Sequence, residues 1–173
     1  MSGRPTGDLR RHVTHASHGA LLMMVGAQSA LDDIEGGVRA GQWQLVLAQT
    51  RTLVMICCQV HGLASGAEPY VAEDGAAIDP YTDTPAKEWD EAVRLLYGAA
   101  ELAAHPDRAP RWLDELHTWV DAAEASLGLD APLPQLRSSG GMFAALRLVR
   151  GWNDLIEELA LPSLLPREWT KPL

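Results

Sequence analysis

The chain has 173 residues, 47% of them hydrophobic and 21% charged, a balance that excludes a disordered protein and suits one domain with its own core. Its 14 basic and 23 acidic side chains leave a formal net charge of −9, which works against nucleic acid and anionic membranes as partners. No stretch approaches the roughly 20 apolar residues of a membrane span, and the only cysteines, Cys57 and Cys58, are neighbours that make no disulfide framework.

Residues 1–11 read as a flexible polar lead. Its arginines and the apolar run from Ala20 to Val25 have the outline of a signal peptide. However, the run is short, His12, His15 and His18 interrupt its approach, and the helical pattern continues past it. With reduced cysteines, a cytoplasmic protein is expected.

Helix 1 is predicted from near Val13 to Val38, on a stripe of Leu21, Met24, Ala27, Leu31, Ile34 and Val38. Gly36, Gly37 and Gly41 weaken and end it. Helix 2 follows at once, with Trp43, Val46, Thr50, Leu53, Cys57, Val60 and Ala64 at alternating spacings of three and four, so the pair forms an antiparallel hairpin. Residues 66–84 are rich in turn formers and carry Tyr70, Tyr81 and five carboxylates. A long loop of this kind often binds or covers a site.

Thr84-Pro85 opens helix 3, whose expected stripe is Trp89, Val93, Leu96, Ala100 and Ala103. Helix 4 runs from near Pro110 to Gly128 on Trp112, Leu116, Trp119, Ala123 and Leu127. A proline-containing linker, 129–137, leads to helix 5, whose two apolar rows from Met142 to Leu159 predict the most central element. On its other edge Arg150 and Asp154 are spaced to pair. Pro162, Pro166 and Pro172 make residues 161–173 an extended tail. The expected fold is therefore all-α: one five-helix bundle spanning 1–173, with a long loop between helices 2 and 3.

Several constellations could carry chemistry. His12, His15 and His18 span about 120° of a helix and are candidate metal ligands; a histidine-rich surface turn is the plainer reading. Cys58 and His61 share a helix face, as an activated thiolate or a metal pair would, although Cys57 sits on the apolar stripe as a core cysteine does. Glu101 with His105, and Glu115 near His117, place a carboxylate beside an imidazole, the arrangement general acid–base chemistry uses and also a common surface contact. Among the aromatics, Trp89, Trp112, Trp152, Tyr70 and Tyr81 are candidates to line a ligand pocket, against a purely structural role. Gly140-Gly141, beside Arg137, Ser138 and Ser139, could hold an anion at a helix start.

From Ala30 to Gly66 the order is Asp32-Asp33-Ile34, then Arg39-Ala40-Gly41-Gln42-Trp43, then a long helix closing on His61-Gly62-Leu63-Ala64-Ser65-Gly66. This resembles the first hairpin of HEPN-type bundles, which include nucleotidyltransferase-partner proteins. The chain departs from that family at Val54-Met55-Ile56-Cys57-Cys58, where an acidic residue and a lysine are usual. The ribonuclease branch carries an arginine four to six residues before a histidine. Arg111 and His117 fit that spacing, as do Arg10 with His15 and Arg11 with His18. The resemblance implies a ribonuclease in which Arg111 and His117 act on RNA.

No motif names a reaction or a cofactor. The leading expectation is a non-catalytic module that binds a small molecule or a protein partner, with a homodimer among its assembly states. The alternatives are a small enzyme of specialised metabolism, using histidine and carboxylate or metal chemistry near the 66–84 loop, and the HEPN-like ribonuclease.

Overall fold

The computed structural model describes residues 6–67, 81, 83–134 and 141–158. Tyr70, the anion-site residues Arg137 to Gly140 and the 161–173 tail lie outside them.

Helix α1 (Thr6–Leu21) continues through a π-helical stretch (Leu22–Ala27) into α2 (Gln28–Ala40), a rod roughly 50 Å long. Residues 6–11, expected in the lead, are thus helical. The cause is packing: Leu9 lies against the core, and a Cβ on Gly151 would stand 2.7 Å from its Cδ1. The rod runs through Gly36 and Gly37 and ends at Gly41, whose φ of +67° and N–H bonds to Gly37 and Val38 close the turn.

Helix α3 (Trp43–Ala64) returns antiparallel and is the axle of the molecule, packing against α1, the π stretch, α2, α4 and α5. The helix 5 region was expected there. The unbroken apolar run from Leu53 to Cys58 spreads round α3, and every residue of it but the half-buried Met55 is buried. The one buried hydroxyl on its stripe, Thr50, donates to the Val46 carbonyl at 2.7 Å.

Helices α4 (Ala86–Glu101) and α5 (Ala109–Ser126) form a second hairpin through a 3-10 turn at Pro106–Arg108. The expected face of α5 is buried as read. That of α4 is rotated: Ala92, Leu95, Ala99 and Leu102 are buried, whereas Val93 and Leu96 are half-buried and Ala100 and Ala103 exposed. The predicted helix 5 is split into α6 (Gly141–Leu148) and α7 (Trp152–Glu158), with Gly151 at φ +85° between them. The break removes the Arg150–Asp154 spacing. Arg150 instead bonds Asp130 at 3.2 Å, beside an Asp130 N–H to Leu148 carbonyl bond of 2.8 Å that pins the linker.

One cluster of buried apolar residues runs from Val13 to Val149. Among the described residues there is no strand, only the isolated Leu129–Val149 bridge, and no helix is long and apolar enough to cross a membrane.

Candidate functional site

The rotation of α4 leaves one apolar side of that helix only partly covered among the described residues. At its crest stands Tyr97, 71% exposed, the most exposed large hydrophobic residue described. On one side, Leu47 and Arg51 of α3 and Val93, Leu96 and Ala100 of α4 line a hollow of about 340 Å³. On the other, a groove of about 580 Å³ runs between α4 and α5. Its floor is Trp112, Leu102 and Gly98. Trp112 is buried, and its indole N–H donates to the Leu95 carbonyl at 3.0 Å. Gly98 permits this approach, because a Cβ there would lie 2.7 Å from Trp112 Cδ1.

Charges ring the groove in pairs. Glu115 accepts from Arg94 and, at 3.0 Å, from Arg111, and these hydrogen bonds hold its carboxyl below the usual range. Arg94 also holds Glu91 at 2.8 Å, and its pKa is raised by the same partners. Arg108 meets Glu101 at 3.2 Å. With Asp107 and Arg51, the two hollows and their rim carry four arginines and four carboxylates, a neutral patch on a chain of net −9. Aromatic and arginine side chains around an apolar floor are the composition of interface hot spots.

Four residues singled out from sequence converge on this groove: Glu101, Arg111, Trp112 and Glu115. Others go elsewhere. His105 is exposed beyond the end of α4. His117 faces α2, with Nε2 3.1 Å from Glu35, while Arg111 turns to Glu115, so the two are not brought to one point. Trp152 is half-buried at the start of α7. Trp89 is 39% exposed and lies against Tyr81, ring centroids 5.2 Å apart. Tyr97 itself was missed; its signal was an aromatic one residue off the expected stripe, three residues from Arg94.

Most of the expected 66–84 loop lies outside the described residues, and a second cluster lies between α3, α4 and α5. His61 is buried, with Nε2 3.7 Å from Glu88 Oε2 and its ring 5.9 Å from that of Trp119. Neither His61 Nε2 nor Trp119 Nε1 has a hydrogen-bond partner. Burial pushes the His61 pKa down, partly opposed by Glu88 and reinforced by Lys87. Burial pushes the Cys58 thiol up to about 11, against the Thr84 hydroxyl and with Glu88; Cys57, deeper still, is also raised. Both thiols stay protonated at neutral pH, unlike an activated nucleophile.

His12 and His15 line a polar cleft of about 450 Å³ with Asp8, Arg11, Ser65 and Ser126, where Arg11 donates to the Gly66 carbonyl at 2.6 Å. His18 is exposed outside it. Among the described residues no group of three or more His, Cys, Asp or Glu side chains is placed to hold a metal ion. Its polar walls offer a ligand little apolar area, whereas the α4–α5 groove has an aromatic floor and is the larger of the two.

Compared with known proteins, the chain matches no family model, no curated protein and no solved structure.

Proposed function

We propose that this chain is a non-catalytic helical-bundle module that docks a protein partner through the exposed side of α4. The observation that carries the reading is Tyr97, standing solvent-exposed between two apolar hollows with paired arginines at the rim. An open groove with a projecting aromatic suits a protein surface better than an enclosed small molecule, which is mostly surrounded when bound. A small ligand on the Trp112 floor is the other occupant this class allows.

The test compares wild type and Tyr97→Asp as baits in an extract of the native cells. A protein captured by wild type is identified, purified and titrated against both. Binding at least tenfold weaker to the variant supports the reading. Equal binding to both removes the α4 side as the docking surface.

A second reading, a small enzyme, is favoured by one observation: buried His61, whose Nε2 lies 3.7 Å from the half-buried Glu88 carboxylate and, like the nearby Trp119 Nε1, has no hydrogen-bond partner. An imidazole with a free ring nitrogen near a carboxylate can take up or give a proton, as general acid–base chemistry needs. Incubation with a metabolite extract, followed by mass spectrometry, should show a compound consumed by wild type and spared by His61→Ala. Identical profiles for the two proteins eliminate it.

A further inference from the structure

We infer that the occupant of the α4 side is a second copy of this chain, in a two-fold dimer in which each Tyr97 enters a hollow beside the other. The inference rests on the docking role proposed above and names its partner. A two-fold contact uses one patch twice, so that patch must supply both the projection and the recess, and charges of both signs. The α4 side does so: Tyr97 projects, hollows of about 340 and 580 Å³ flank it, and arginines alternate with carboxylates around the rim. A face built for a different, acidic partner needs only the arginines, and one built for a basic partner only the carboxylates.

Long-range charge opposes self-association, so the contact must come from the patch itself. Two chains of net −9 repel wherever their general surfaces meet. Around the two hollows Arg51, Arg94, Arg108 and Arg111 balance Glu91, Glu101, Asp107 and Glu115, so the patch adds no net charge of its own to that repulsion. Val93 and Leu96, half-buried, and Ala100, exposed, are spaced as a buried helix face yet incompletely covered among the described residues, and they give the contact its apolar centre.

The experiment is analytical ultracentrifugation from about 1 to 100 μM, the range in which a contact of modest affinity dissociates. Wild type, Tyr97→Phe, Tyr97→Asp and Ala100→Glu are compared, with circular dichroism to verify folding. Residues 97 and 100 are exposed, so the variants should keep the helical spectrum. Wild type and Tyr97→Phe should reach twice the chain mass. Tyr97→Asp and Ala100→Glu should need at least tenfold higher concentration to do so. Wild type at single-chain mass throughout, or a dimer indifferent to both charged variants, overturns the inference. A monomer that still binds another protein through Tyr97 removes only the second copy and leaves the docking role; a chain whose associations all ignore Tyr97 removes both.

Discussion

His61 shows how much one side chain can hold without a ready explanation in sequence. The helical spacing put it beside Cys58, and the structure keeps them on the same turn. It could not reveal Glu88, 27 residues away, or Trp119 on α5, because neither is a local neighbour. Burial is the larger influence on this imidazole and favours its neutral form; the Glu88 carboxylate opposes it less strongly. The folded-state pKa therefore lies below the ordinary value of 6.5. Below that ordinary value the unfolded chain takes up a proton that the folded one refuses, so stability falls as pH drops through 6.5 toward the folded value, and this contribution is flat beneath it. Thermal melts at pH 7.5 and 5.5 read the effect, each kcal/mol of linkage lowering the midpoint by about 2–4 °C for a chain of this size. Wild type should lose more than His61→Gln between the two pH values. The same loss in both would show that His61 is not the proton acceptor.

Helices were legible because prolines and glycines mark their ends, although Thr84, expected as a cap, instead donates to the Cys58 carbonyl at 3.4 Å; which face each one buries was less so. On α4, two sets are spaced for burial: Val93, Leu96 and Ala100, and Ala92, Leu95, Ala99 and Leu102. Periodicity cannot choose between them, and packing against α3 and α5 selects the second. The split between α6 and α7 was hidden for another reason: a glycine inside an apolar pattern looks like a tolerated helical residue until its φ is seen to be positive.

Glycines within helices also give a paired test of packing. Gly36 of α2 has room, a Cβ there meeting only Arg39 Nη2 at 3.9 Å, whereas at Gly98 of α4 it would meet the buried Trp112 ring at 2.7 Å. Gly36→Ala should stabilise by about 0.5–1 kcal/mol through helix propensity. Gly98→Ala gains the same propensity but must displace a ring hydrogen-bonded to Leu95, so it should destabilise by about 1–3 kcal/mol. Urea midpoints measure both. A stabilising Gly98→Ala would mean that Trp112 can move away cheaply, and the floor of the groove would not be fixed.

At the scale of the whole molecule, burial decides what is axle and what is cover. From α3, seven side chains (Val46, Thr50, Leu53, Val54, Cys57, Cys58 and Val60) are wholly inaccessible, while no residue of α7 is buried. The wide apolar face read into the helix 5 region is real in composition, but it is used piecemeal: Ala145 and Val149 reach the core, and Leu148, Trp152 and Leu155 are only half-covered. Local stability should follow that division, because segments with few buried contacts open before the whole chain unfolds. In native-state hydrogen exchange, the amides of residues 53–63 should exchange only through global unfolding. Those of 152–158 should exchange through a smaller opening, at least about 1.5 kcal/mol lower, or more than tenfold faster. Leu53→Ala, a truncation of the fully buried kind that costs about 2–5 kcal/mol, should lower the protection of α3 by its full effect on global stability while barely changing α7. Equal protection of α3 and α7 in wild type would show instead that the last helices fold and unfold with the axle, and that the short contacts of Leu129, Asp130 and Gly151 bind them to it more firmly than their burial implies.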